Sequence, residues 1–220
     1  MYRKLKCKFK AVLFDMDGVI TNTMPYHFKA WKEVLLNIGI KASCFDVYKR
    51  EGQDGLSTLR TLFQEKGLKF DLRQAQDILR RKEELFKRIV RIKFVPGSRS
   101  FVRNLHKHGF LLGLVTGTSR HEMERILPRD LRDLFCVTVT GDEVKKSKPN
   151  PEPFLKAFGK LVLAKKDVVV IENAPFGIEA AKKAGLRCIA LETSLPRYYL
   201  KGADMVFKSF TQLKKAVCEL

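Results

Sequence analysis

Apolar residues in this chain follow two rhythms. Toward both ends they gather in short runs of strand length, at 11–14, 111–115, 136–139 and 168–171, rich in β-branched residues or closed by Gly or Asp. Two further runs, 188–191 and 205–207, extend the series to six. Between them apolar positions recur at helical spacing over 97–108, 119–127, 151–161 and 175–184, the last running into Gly185, a natural residue for a helix C-terminus. Strand and helix in alternation predict an α/β fold, a Rossmann-like parallel sheet with helices on both faces. Ligands of such sheets gather at the carboxyl ends of the strands. Asp15, Thr116, Lys148 and Glu172 are all expected at or just beyond such ends.

From about Met24 to Lys93 the rhythm changes. No strand pattern is present, and the spacing predicts helices over 26–38, 56–66 and 71–92, with Val95-Pro96-Gly97 closing the region. A helical insert placed directly after the first strand would sit over that strand's active end as a cap. The expected division is a core of 1–22 and 95–220 and a cap of 23–94, with linkers near 21–25 and 93–96. Internal repeats and low-complexity segments are absent from the sequence.

Composition changes this picture little. Hydrophobic residues make up 45% of the chain, as in ordinary globular proteins. No apolar stretch has the length of a membrane span. The basic segment from Met1 to Lys10 meets Asp15 and Asp17 too early to be a signal-peptide core, so a cytoplasmic location is expected. The five cysteines, Cys7, Cys44, Cys136, Cys188 and Cys218, are scattered and lack a C-x-x-C pair, which argues against a disulfide framework and a structural zinc site. Cys136 and Cys188 lie in apolar runs and are expected to be small buried hydrophobes. The net charge of +19 is the exception. It predicts attraction to polyanions and faster capture of anionic substrates, but no motif for specific nucleic-acid recognition accompanies it. A solvated lysine-rich surface is the simpler account.

Four segments carry candidate chemistry. In Asp15-Met16-Asp17-Gly18-Val19, two carboxylates one residue apart follow a buried strand, so one can attack phosphorus while the other handles a proton. A carboxylate and a phosphate dianion about 4 Å apart repel by on the order of 8 kcal/mol at an effective dielectric of 20. A divalent cation and fixed positive groups are therefore needed. Read alone, D-x-D-G is also an ordinary loop or half of a calcium loop. In Val115-Thr116-Gly117-Thr118, a hydroxyl and a glycine backbone at a strand-to-helix turn suit phosphate oxygens; the competing reading is a simple N-cap by Thr118 or Ser119. In Lys145-Lys146-Ser147-Lys148-Pro149-Asn150-Pro151, the prolines stiffen the chain beside Lys148 and set it apart from a solvated charge run. In Glu172-Asn173-Ala174-Pro175, an acid and an amide offer hard oxygen ligands to Mg²⁺, or Asn173 merely caps the next helix.

Taken together, in this order and placement, FDMDGVITNT (14–23), LVTGTS (114–119), KSKPNPEPF (146–154) and VIENAPFGIEAAKKAGL (170–186) resemble the haloacid dehalogenase superfamily, in the branch with a helical cap after the first motif. The resemblance implies a Mg²⁺-dependent phosphoric monoester hydrolase acting on a small phosphorylated metabolite. It assigns Asp15 as nucleophile, forming an aspartyl-phosphate. Asp17 is the acid and base whose backbone carbonyl also binds the metal, and Thr116 and Lys148 hold the transferring group. Asp15, Asp17, Glu172 and Asn173 form the metal set, although Asn173 stands where the family most often has an aspartate. The segment Thr21–Trp31 is similar to the β-phosphoglucomutase branch, in which the histidine, here His27, helps govern proton transfer. That branch carries a K-G-x-S-R run in its cap, and 48–55 here reads YKREGQDG. Without that grip on a second phosphate, hydrolysis is favoured over a mutase reaction. Gly117, Thr118, His27 and Arg50 are the remaining candidates for substrate contact, although a cap arginine such as Arg50 is more often a surface charge and His27 also reads as a packing residue at the cap hinge. A basic binding protein that has lost catalysis is the reading from outside enzymology; the presence of Asp15, Asp17, Thr116 and Lys148 together argues against it.

Overall fold

The computed structural model describes residues 9–217. The basic segment up to Lys8, with Cys7, and the C-terminal Cys218 lie outside the described residues. Six strands, β1 (Ala11–Phe14), β2 (Leu111–Val115), β3 (Val137–Val139), β4 (Val168–Glu172), β5 (Arg187–Leu191) and β6 (Met205–Phe207), form one sheet in the order β3-β2-β1-β4-β5-β6. Every pairing is parallel.

The period-two alternation of β1 shows why both faces are covered. Val12 and Phe14 enter one apolar cluster with Phe101 of α5 (Ser98–Lys107), Met123 of α6 (Arg120–Ile126) and Phe210 of α10 (Phe210–Val217). Ala11 and Leu13 enter the other, with Phe154 of α8 (Glu152–Gly159) and Ile178 of α9 (Pro175–Lys183). A strand buried on both sides must read as an unbroken apolar run, and AVLF does.

Strand order reverses at β1: the chain builds outward to β2 and β3, then returns to lay β4 on the other side. Such a switch point leaves a crevice at the strand carboxyl ends, where the adjoining loops diverge.

Over that crevice lie α1 (Met24–Leu36), α2 (Cys44–Tyr48), α3 (Gly55–Glu65) and α4 (Leu72–Ile89). They have an apolar cluster of their own, including Trp31, Leu35, Leu59, Phe63 and Ile78. The two chain crossings run side by side, with Asn22 N–H donating to the Lys93 carbonyl at 2.7 Å and Val95 N–H to that of Ile20 at 3.0 Å.

Four details depart from expectation. Cys136 is exposed, and β3 begins one residue later, so only Cys188 is a buried thiol of the expected kind. Lys148 lies well past the end of β3, in the loop leading from the turn Gly141–Glu143 to α8, and reaches the crevice by its own length. The short helices α2 and α7 (Arg129–Arg132) carry too few residues for an apolar period to show. The expected helix over 71–92 stops at Ile89, because Val90 takes an extended backbone that begins the return crossing.

Candidate active site

Asp15 follows β1, Thr116 follows β2, and Glu172 ends β4, so three neighbouring strands deliver them to one place. Lys148 joins them from the side. Its ammonium donates to Asp15 Oδ1 at 2.6 Å, to Glu172 Oε1 at 2.7 Å and to the Val115 carbonyl at 3.1 Å. All three side chains are fully buried. Burial opposes the charge on Lys148, but the carboxylates of Asp15 and Glu172 outweigh it and push the ammonium's pKa up. Burial also dominates at Asp15. There it raises the carboxyl well above its usual range, helped by Glu172 and Asp17 and only partly offset by Lys148.

The second oxygen of Asp15 has no protein partner although it is buried, and neither has Asn173 Oδ1. Unpaired buried acceptors are costly unless something else meets them. The Asn173 amide is aimed by its donation to Ser194 Oγ at 2.8 Å, leaving its oxygen free. It does not cap α9, whose N-cap is Ala174. Two unmatched hard oxygens on adjoining strand ends suit Mg²⁺. Glu172 has both oxygens occupied, one by Lys148 and the other by the backbone N–H groups of Asn173 and Ala174 at 2.8 and 3.2 Å. Among the described residues no three His, Cys, Asp or Glu side chains converge as a ready metal cage. Any cradle here depends on an amide and on backbone oxygen as well as carboxylate.

The Asp17 side chain turns the other way. Its Oδ2 accepts from the Thr118 hydroxyl at 3.0 Å, and its Oδ1 accepts from Thr23 and lies 3.5 Å from His27 Nε2. Burial pushes this carboxyl up, but the hydrogen bonds and charge of His27, with Thr23 and Thr118, prevail and hold it below the usual range. Thr116 is buried, its hydroxyl accepting the Thr118 N–H at 3.1 Å. The N-cap of α6 is Ser119, which frees Thr118 for Asp17.

His27 connects this floor to the cap. Its ring stacks on Phe86 at 4.1 Å, and its Nδ1 lies 3.2 Å from the Lys82 ammonium, which also sits over Trp31. Lys82 was not among the residues singled out from sequence, although a signal existed. It interrupts the buried stripe Ala75, Ile78, Leu85, Phe86 of α4, where an apolar residue is the rule.

Arg50 departs from a surface charge: it is 2% exposed. Its guanidinium is engaged inside the cap by Glu65, the Asp46 carbonyl and the Thr61 hydroxyl, at 2.5, 2.5 and 3.0 Å. Arg50 still borders the cavity under the cap. The next turn, Glu51-Gly52-Gln53, closes onto the core. A Cβ on Gly52, whose φ is +80°, would fall 2.3 Å from Lys148 Cδ, and one on Gly117 would fall 2.7 Å from the Gly52 carbonyl oxygen. Only two bare backbones allow cap and floor to approach so closely. Between them is a cavity of about 270 Å³, lined by His27, Glu51, Lys82, Phe86, Thr118 and Glu122 among others.

Buried anions facing a fixed ammonium, with two spare oxygens at a sheet switch point, suit phosphoryl transfer. The model of haloacid dehalogenase-like hydrolases matches residues 12–191, and this chain belongs to that family. A phosphorylated carbohydrates phosphatase of Thermotoga maritima is 34% identical over 187 residues, 82% of this chain and 83% of its own. The β-phosphoglucomutase of Bacillus subtilis is 30% identical over 213 residues, 93% and 91% respectively. The crystal structure of CbbY from Rhodobacter sphaeroides in complex with phosphate superposes with a TM-score of 0.76 at 26% identity, covering 93% of this chain and 96% of that one. The chain is a phosphoric monoester hydrolase of this family. Among the described residues no helix is long and apolar enough to cross a membrane.

Proposed function

We propose that the enzyme hydrolyses the phosphate monoester of a small sugar or polyol by passing the phosphoryl group through Asp15, with Mg²⁺ as cofactor, in the cytoplasm. The unpartnered, buried Oδ2 of Asp15, its twin oxygen fixed by Lys148 at 2.6 Å, is the observation that carries the reading. One carboxylate oxygen of Asp15 forms the new bond to phosphorus, the other remaining for the cation and Lys148, while the ester oxygen leaves with the bonding pair. Asp17 supplies the leaving oxygen with a proton, then takes one from the water that releases phosphate, restoring both carboxyls. Asp17 must exchange its bonds to Thr118 and Thr23 for this work, so the arrangement described above is its resting one. Lys148 and the Thr116 hydroxyl balance charge on the transferring oxygens. Asp15, the Asp17 carbonyl and Asn173 would hold the cation, with Glu172 beside them; bound there, it offsets the repulsion between carboxylate and phosphate. The cap of 23–94, hinged where 20–22 and 93–95 run side by side, closes over a core of 1–22 and 95–220 and keeps bulk water from the intermediate.

Asp15→Asn removes the nucleophile while keeping its shape. Turnover of p-nitrophenyl phosphate and of sugar phosphates with Mg²⁺ should fall by at least about 10³-fold with unchanged circular dichroism. Acid-quenched wild type should carry a hydroxylamine-labile phosphoryl group that the variant lacks. A variant that keeps wild-type rates refutes the assignment.

The His27–Asp17 contact favours a second reading, a sugar phosphomutase, since a histidine that governs the proton-transfer residue suits two-way transfer. The commitment of Arg50 to Glu65 argues against it, because a second phosphate then lacks that grip. Supplying β-glucose 1-phosphate with catalytic glucose 1,6-bisphosphate separates the two by its product, free phosphate or glucose 6-phosphate.

A further inference from the structure

The basic excess of this chain is concentrated in one stretch that catalysis leaves unused. Between Glu84 and Glu122 the sequence carries eight Lys or Arg and no Asp or Glu. Arg91, Lys93, Arg99, Arg103 and Lys107, on the return crossing and α5, are all exposed. Part of this stretch has a shape. The crossing at 94–97 and α5 border a surface groove of about 600 Å³ that shares no residue with the cavity under the cap. Its lining holds Arg99, Arg103 and Lys107, with Ser100 and Asn104 among them, and no acid. Spacing by four keeps the three cations on one helix face, strung over about 12 Å. Arg103 pairs with Asp130 of α7, an exposed contact worth about 0–1 kcal/mol and readily exchanged for phosphate. Arg99 lies over the Phe94 ring, 4.7 Å from its centroid, which steadies the guanidinium while it stays exposed.

We propose that this groove binds single-stranded nucleic acid without sequence preference, its phosphates along Arg99, Arg103 and Lys107 and a base against the Arg99 guanidinium. Catalysis is not involved, so the proposal is independent of the phosphatase reading. A small anion calls for cations that converge on one point, and these are set in a row. An anionic bilayer calls for apolar side chains free to enter it, but Phe94 is covered by Arg99 and Val95 is buried. An acidic peptide would satisfy the charges yet gain little from a guanidinium plane, which suits the face of an unstacked base. Three neutralised phosphates correspond to a slope of about −2 in log K against log salt.

The test is fluorescence anisotropy of a labelled thymidylate dodecamer between about 50 and 200 mM salt. Wild type should bind it with that slope. Arg99→Glu combined with Lys107→Glu should weaken binding by at least about tenfold and flatten the slope. Lys160→Glu combined with Lys166→Glu changes net charge equally, beside α8 on the opposite face of the sheet, and should weaken it less than about threefold. Arg99→Lys keeps the charge and removes the plane. It should weaken the dodecamer several-fold and leave binding of inorganic polyphosphate unchanged. Equal losses in the two double variants, both with unchanged circular dichroism, would assign binding to net charge and overturn the proposal. No binding by wild type at the lowest salt, or polyglutamate of equal length bound as tightly as the dodecamer, would overturn it too.

Discussion

Lys148 and Lys82 are both buried, and they mark two regions built on opposite principles. On the floor, Lys148 lies 2.6 and 2.7 Å from two carboxylates that hold its charge firmly. In the roof, Lys82 faces an imidazole and the rings of Trp31 and Phe86, and burial pulls its pKa down against the more distant carboxylates around it. The floor is electrostatically closed except for the two oxygens without a protein partner. The roof keeps a partly desolvated cation and several acids with capacity to spare. A closed floor is suited to one chemical step whatever the alcohol, and an unsatisfied roof is suited to choosing among alcohols.

Substitutions can break this division. The largest effect is expected from Asp15→Asn, which should silence every substrate alike. Lys148→Ala should come next. It leaves the buried carboxyls of Asp15 and Glu172 without their countercharge, a change that costs about 3–5 kcal/mol in stability, and turnover should be lost for all esters. Chemical denaturation and a substrate panel check both halves. Lys82→Met should act in the opposite sense on stability. Removing a cation whose burial disfavours its charge should raise stability by on the order of 1 kcal/mol. It should also reduce kcat/KM about tenfold for sugar phosphates, and less for p-nitrophenyl phosphate, which needs little from the roof. A Lys82→Met protein that loses activity equally on every ester would erase the distinction between the regions.

Smaller effects sharpen the account of the floor. Asn173→Asp restores a second negative charge beside the spare oxygen of Asp15 and should tighten Mg²⁺ about tenfold, measurable by calorimetry. Burial raises the Asp15 carboxyl above its usual range, so a metal there competes with a proton more than at a free carboxyl. The thermal shift produced by Mg²⁺ should therefore grow as pH rises, because the folded apo protein binds more protons than the metal-loaded form. A shift independent of pH would place the metal away from Asp15.

Much of the floor was legible in the chain because each part is a local event. AVLF followed by Asp15, LLGLV followed by Thr116, and VVVI followed by Glu172 are buried strands that stop at a reactive side chain. A parallel sheet aligns such stops at one edge. The Pro149–Pro151 setting singled out Lys148 from the basic residues around it, even though the lysine is carried by a loop well beyond β3. The roof was less legible. Arg50 looks exposed by composition, but the fold of α2 and α3 brings Glu65 and the Asp46 carbonyl around it. Glu51 and Lys82 are 31 positions apart in the numbering and reach one cavity only through the packing of the cap.

The amino-acid order alone therefore determined the layered α/β core, the helical insert and the residues that meet at the strand ends, since these follow from periodicity and turn chemistry within a few residues. Tertiary structure decided which charges cancel: that Glu172 is occupied by Lys148, that Asn173 presents its oxygen because Ser194 takes its nitrogen, and that acids face the cavity of a basic protein. Pairing between groups far apart in sequence depends on burial and on distances of a few ångströms, and neither is written in the spacing of residues along the chain.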